Sequence, residues 1–138
     1  MNILFMCVAN SARSQLAEGL ARKVFPDAEV KSAGSNPGKL HPYAVAVIKE
    51  VGVDISQQYS KSVDDLSQKF SVDLDYVITL CAEEVCPTMV SKAKKLHWPH
   101  PDPAMKKPLA EEEALKRFRA TRDAISERLK QFKAEIGK

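Results

Sequence analysis

Cys7 and Arg13 stand six positions apart, separated by Val8-Ala9-Asn10-Ser11-Ala12 and followed by Ser14. If the intervening chain curls, a thiol and a guanidinium at that spacing suit one chemistry: holding a tetrahedral oxyanion and attacking its central atom. The planar fork of Arg13 matches two oxygens of such an anion. A loop between a strand end and a helix start can turn its backbone N–H groups onto one point, and the helix N-terminus adds partial positive charge there. That field favours the Cys7 thiolate, the nucleophilic form. Small Ala9 and Ala12 let the loop close, and the Ser11 and Ser14 hydroxyls can donate to the sulfur or the loop. Val8, Ala9, Asn10, Ser11, Ala12, Arg13 and Ser14 are therefore the expected anion-binding residues. The plainer alternative makes Cys7 the inert end of a buried strand and Arg13 a surface ion-pair partner.

Three further residues could take part. Asp102 lies in Trp98-Pro99-His100-Pro101-Asp102-Pro103, where three prolines in five residues restrict the backbone. Expelling an oxygen from a tetrahedral oxyanion requires a proton, which a positioned carboxyl can give; an Asp before Pro is also a common turn former. Cys81 closes the apolar stretch Tyr76–Leu80, and Cys86 follows five residues later. An odd cysteine count without an export-like leader argues for reduced thiols, inert or reactive. Cys81, Cys86, His97 and His100 also make a C-x4-C…H-x2-H set, but the histidine spacing is short for a structural zinc site, so no metal is expected. His97 is expected partly buried and His100 exposed.

The chain has 138 residues, 44% of them hydrophobic and 28% charged, which is the composition of one globular domain, 1–138. A net charge of +3 is too small to argue for nucleic acid. No apolar run approaches the ~20 residues of a membrane span, and Ile3–Val8 is too short for a signal peptide. A cytoplasmic location and a monomer are the default expectations. Asn2–Val8, Glu29–Ala33, Tyr76–Leu80 and Lys95–Trp98 read as strands. Ser14–Phe25, His41–Val51 with Gly52 as its stop, and a long amphipathic stretch from Ala110 read as helices. This alternation predicts an α/β fold, an open, mainly parallel four-stranded sheet with helices on both faces. In such sheets ligands bind beyond the carboxyl ends of the strands, where Cys7 and Cys81 stand. Lys92, Lys94, Lys95, Lys106 and Lys107 read as solvated surface.

The segment Cys7–Gly19, CVANSARSQLAEG, resembles the opening of the low-molecular-weight protein tyrosine phosphatase superfamily, and Ser14–Gly19 resembles its arsenate reductase branch. Ser32-Ala33-Gly34, His41-Pro42, Val51–Ser56, Thr79-Leu80-Cys81, His97-Trp98, Asp102-Pro103-Ala104 and Phe118–Asp123 agree, in the family's order. The resemblance implies a cytoplasmic enzyme without a cofactor that reduces arsenate to arsenite. Cys7 would attack arsenate, Asp102 would be the general acid, and Cys81 and Cys86 would complete a disulfide relay drained by thioredoxin or glutaredoxin. The alternative is a phosphatase that hydrolyses phosphoesters through a Cys7 phospho-intermediate. The residues after Asp102-Pro103, Ala104-Met105-Lys106-Lys107, lack the aromatics that would sandwich a tyrosine ring. A catalytically silent anion-binding domain is a third reading, disfavoured by intact Cys7, Arg13 and Asp102. Some relatives bind potassium through positions matching Asn10, Glu18, Ser32 and the neighbourhood of Tyr59-Ser60-Lys61. Lys61 falls where an acidic residue would help that ion, so its ammonium is expected to substitute for it.

Overall fold

A computed structural model of the chain describes residues 1–82, 92–104 and 110–137. Four strands, β1 (Asn2–Cys7), β2 (Glu29–Gly34), β3 (Tyr76–Thr79) and β4 (Lys94–His97), form one sheet in the order β2-β1-β3-β4. Every pairing is parallel. The chain leaves β1 towards β2 and then returns to pair β3 on the opposite side of β1. The two connections diverge at that point, which opens a crevice beyond the carboxyl ends of β1 and β3.

Side-chain alternation along β1 assigns its faces. Ile3 and Phe5, with Val30, Ile78, Leu80 and Trp98, pack in the larger core against α1 (Arg13–Val24), α2 (Pro42–Lys49) and α4 (Glu111–Glu135). Leu4 and Met6, with Ala33 and Val77, pack on the other face against Phe70 and Leu74, at and just beyond the short α3 (Gln68–Val72). With both faces covered, β1 reads as an unbroken apolar run rather than an alternating one.

The helices begin and end where the expected signals stand, to within a few residues. Pro42 opens α2, with the His41 ring accepting the Tyr43 N–H at 3.1 Å as its cap, and Gly52 leaves the following turn at a φ of +82°. Three glutamates, Glu111, Glu112 and Glu113, occupy the first turn of α4, where they complement the helix dipole. Its buried stripe, Phe118, Ile125, Leu129 and Phe132, also carries Arg122, which donates to the Val47 carbonyl at 2.7 Å and to Glu50 at 2.8 Å. With the Arg119–Glu50 pair at 2.9 Å, this clasps α4 to the end of α2. The expected strand Asn2–Val8 stops at Cys7, and α3 and a single 3-10 turn at Val63–Asp65 are additional elements. Both are too short to show a period; their signals are the capping serines Ser62 and Ser67.

Candidate active site

β1 delivers Cys7 to the sheet's carboxyl edge and α1 starts at Arg13, so the connecting loop lies over the crevice. Its carbonyls are tied outward. Val8 and Ala9 accept the N–H groups of Asn36 and Gly38, each at 2.9 Å, and Ser11 accepts that of His41 at 2.9 Å. The Asn10 carbonyl accepts the Ser60 hydroxyl at 2.6 Å and the Gln15 amide at 2.9 Å. In a trans peptide the N–H points opposite to the C=O, so the amides of Ala9, Asn10, Ser11 and Ala12 point away from the partners of those carbonyls. Asn10 takes a φ of +50°, a conformation asparagine tolerates better than most residues.

Gly34 makes room for this loop. A Cβ there would lie 2.4 Å from the Val8 carbonyl oxygen and 2.9 Å from that of Cys7. Its role as a packing floor was not visible in the sequence, where it reads as loop punctuation.

Cys7 is buried and carries a free thiol. Its sulfur is 2.9 Å from the Ser14 hydroxyl, which also accepts the Asn10 side-chain amide at 2.7 Å. The orientation of that amide is fixed, because Asn10 Oδ1 accepts the backbone N–H of Lys61 at 3.0 Å. Ser14 thus accepts from Asn10, and in its contact with Cys7 Sγ either atom can donate; once Cys7 is the thiolate, only the Ser14 hydroxyl can. A hydroxyl donating to sulfur stabilises the charged form of that sulfur.

Arg13 is buried. Its guanidinium donates to the carbonyls of His100 at 3.0 Å and Leu80 at 3.4 Å, and Nη2 stands 3.9 Å from Asp102 Oδ2. Asp102 is exposed and its Oδ1 accepts the Ala104 N–H at 2.9 Å. The turn-forming and acid readings of Asp102 are thus compatible: one carboxyl oxygen shapes the turn and the other faces the guanidinium.

Cys81 follows β3 as the loop follows β1. Met6 pairs with Thr79 and the Leu80 N–H donates to the Met6 carbonyl at 3.0 Å, so the two chains leave the sheet side by side. Cys81 is buried and disulfide-bonded. Cys86 lies outside the described residues, as do Met105, Lys106 and Lys107. The histidines reverse the expectation: His97 is exposed and its Nδ1 meets the Thr79 hydroxyl at 2.7 Å, whereas His100 is half-buried. Burial pushes the His100 imidazole below its ordinary value, and the nearby Arg13 charge adds to this. Burial likewise lowers His41, against the pull of the Asp102 charge. Lys92, Lys94 and Lys95 are exposed, as read from the sequence. Among the described residues no group of three or more His, Cys, Asp or Glu is placed to hold a metal ion.

Beneath the loop, Glu18 is buried. It accepts the Ser32 hydroxyl at 2.8 Å and pairs with Arg22 at 2.9 Å and with Lys61 at 3.7 Å. Burial lowers the Lys61 ammonium while Glu18 pulls it back up. A potassium ion fits poorly here, because the ammonium stands against the carboxylate that would hold the ion. The segment from Gln58 to Lys61 straps the loop from outside. Through Gln15, Ser60 and the Lys61 backbone, it fixes Asn10 in a way that sequence spacing did not reveal.

Known proteins are similar to this chain over nearly its whole length. The arsenate reductase of Halalkalibacterium halodurans is 44% identical, matching 99% of this chain and 96% of that one. A solved arsenate reductase in the phosphate-binding state superposes with a TM-score of 0.78 at 31% identity, covering 99% of both chains. The thioredoxin-dependent arsenate reductase of Corynebacterium glutamicum superposes with a TM-score of 0.61 at 28% identity, over 94% of this chain and 62% of that one. The low molecular weight phosphotyrosine protein phosphatase profile matches residues 2–138. From the thiol loop to the last helix, this chain belongs to that family.

Proposed function

We propose that the protein is an arsenate reductase, acting as a single catalytic unit over residues 1–138. The observation that carries the reading is Cys81, a second cysteine just past β3, where that strand leaves the sheet beside β1. Hydrolysis of a phosphoester needs one sulfur and a water; reduction of arsenic needs two electrons, hence a second thiol. The 44% identity to a full-length arsenate reductase supports the same reading.

In this scheme the loop amides and Arg13 hold the oxyanion. The Cys7 thiolate attacks arsenic, and one oxygen leaves as water after taking a proton from Asp102. Cys81, as thiolate, then attacks the Cys7 sulfur. The S–As bond breaks with its electron pair passing to arsenic, which falls from As(V) to As(III) and leaves as arsenite. Cys86 attacks Cys81, frees Cys7, and leaves a disulfide for an external dithiol to reduce. The free Cys7 beside a disulfide-bonded Cys81 is the state the scheme leaves after turnover. Thioredoxin is the favoured donor because a structural relative is thioredoxin-dependent; glutaredoxin is the alternative. Among the described residues no helix is long and apolar enough to cross a membrane; a cytoplasmic location and a monomeric state are part of the proposal.

The test is arsenate-dependent consumption of reducing equivalents, run with thioredoxin and with glutaredoxin on each Cys→Ser variant. Cys7→Ser is expected to abolish turnover, and Cys86→Ser to release one arsenite per enzyme and stall. Cys81→Ser should lose arsenite production while any phosphoester hydrolysis survives. Arsenite turnover unaffected by Cys81→Ser would overturn the reading.

A further inference from the structure

The hydrogen bond between Ser14 and Cys7 is the end of a longer series. Gln15, fully buried, points its amide nitrogen at three oxygens: the Asn10 carbonyl at 2.9 Å, the Tyr59 carbonyl at 3.0 Å and Asn10 Oδ1 at 3.2 Å. Two of these are backbone carbonyls, which cannot donate, so the orientation of the Gln15 amide is forced. Its Oε1 then accepts Gln58 Nε2 at 2.8 Å, and that same nitrogen donates to the Gln15 backbone carbonyl at 3.2 Å. Gln58 is oriented by the backbone in turn, and its Oε1 accepts a guanidinium N–H of Arg22 at 3.4 Å.

Each link thus donates in one direction. Arg22 donates to Gln58, Gln58 to Gln15, Gln15 to Asn10 and Asn10 to Ser14, and with Cys7 as thiolate Ser14 donates to Cys7. The series starts at a cation beside a surface cavity lined by Glu18, Arg22, Lys31, Gln58 and Lys61, and it ends at the sulfur. Bonds aligned this way polarise one another, by about 10–30% per bond. Reversing one amide would place two acceptors or two donors face to face.

We propose that Gln58, acting through Gln15, is a positioning residue for the Cys7 nucleophile: backbone groups set the direction of the amide series, and the Gln58 donor polarises it, strengthening the bond from Ser14 to the Cys7 thiolate. Gln58 does not touch the oxyanion site; it is half-buried on the strap, four links from Cys7. The inference rests on the reading of Cys7 as the nucleophile, and it adds a determinant of that sulfur's reactivity outside the loop itself.

Two substitutions separate polarisation from packing. Gln58→Met keeps bulk and removes the donor. Gln58→Glu keeps the shape of glutamine but can only accept, and its carboxylate faces Gln15 Oε1. The measurement is the rate of Cys7 alkylation by iodoacetamide in the reduced full-length chain, as a function of pH, with the modified peptide identified by mass spectrometry. High salt screens the added charge of Glu. Both variants are expected to react about two- to fivefold more slowly at neutral pH, with the deficit closing at alkaline pH where the thiolate forms unaided. A packing role alone would lower the thermal midpoint of Gln58→Met and leave the isosteric Glu variant with a wild-type pH profile. Wild-type profiles in both variants would overturn the inference. Failure of wild-type Cys7 to react preferentially at neutral pH would instead remove the reading of the site on which it rests.

Discussion

Arg13 and Asp102 face each other at 3.9 Å across the mouth of the thiol loop, the first buried and the second exposed. In the proposed scheme the anion-holding cation and the proton donor thereby stand side by side at the site. A bound oxyanion can take the guanidinium while the carboxyl reaches the oxygen that leaves.

That pairing sets the first prediction. Asp102→Asn retains the oxygen that accepts the Ala104 N–H but cannot supply an acidic proton. Arsenite formation should fall by about 10²–10⁴-fold with little change in arsenate affinity. Single-turnover rates alongside equilibrium binding check both halves; a variant impaired only in binding would contradict the role.

Gly34→Ala tests the packing of the loop. The added methyl meets the Val8 carbonyl at 2.4 Å, which is backbone and cannot swing aside. Overpacking of this kind costs about 1–3 kcal/mol. Here the loop amides must also move, so oxyanion binding should weaken along with the thermal midpoint. Calorimetric titration with phosphate before and after the substitution measures it.

Lys61 predicts the ionic response. With its ammonium 3.7 Å from Glu18, the carboxylate is already compensated, and turnover should be equal in potassium and sodium chloride at matched ionic strength. Specific activation by potassium would contradict this.

The α2–α4 clasp predicts an acid-sensitive contribution to stability. Hydrogen bonding from Arg119, reinforced by Arg122, holds Glu50 down to about 2, against 4.5 as its ordinary value. The unfolded chain therefore binds the extra proton first, and the contribution, complete above pH ~4.5, is lost as pH falls towards ~2. Glu50→Gln should lower the melting temperature at pH 7, and the gap from wild type should narrow through that window.

Much of this architecture is legible in the chain because its apolar residues are periodic. β1 shows as an unbroken apolar run since both of its faces are covered, and α4 shows by its stripe from Phe118 to Phe132. The loop is legible for a different reason. Cys7 and Arg13 stand six positions apart where an apolar strand run gives way to a helical spacing, the place an anion-binding loop needs. The strap escapes detection because two of its contacts, the Tyr59 carbonyl to Gln15 and the Lys61 N–H to Asn10, run through backbone groups, which carry no signature of residue type. Gly34 escapes because its importance is the absence of an atom. The burial of the histidines is not legible, because His100 is half-buried with its backbone carbonyl on Arg13, a contact that residue type does not reveal.

The pairing of Met6 with Thr79 has a consequence for how this protein can change. Cys7 reaches the crevice by counting along a strand whose side chains alternate between faces. An exchanged residue within Asn2–Met6 alters a contact. One residue inserted or deleted there would swap the two faces and turn Cys7 towards Phe70 instead of α1. Reading-frame length in those few positions is thus under tighter constraint than chemical identity, and lineages carrying this chemistry should diverge there by substitution and almost never by indel.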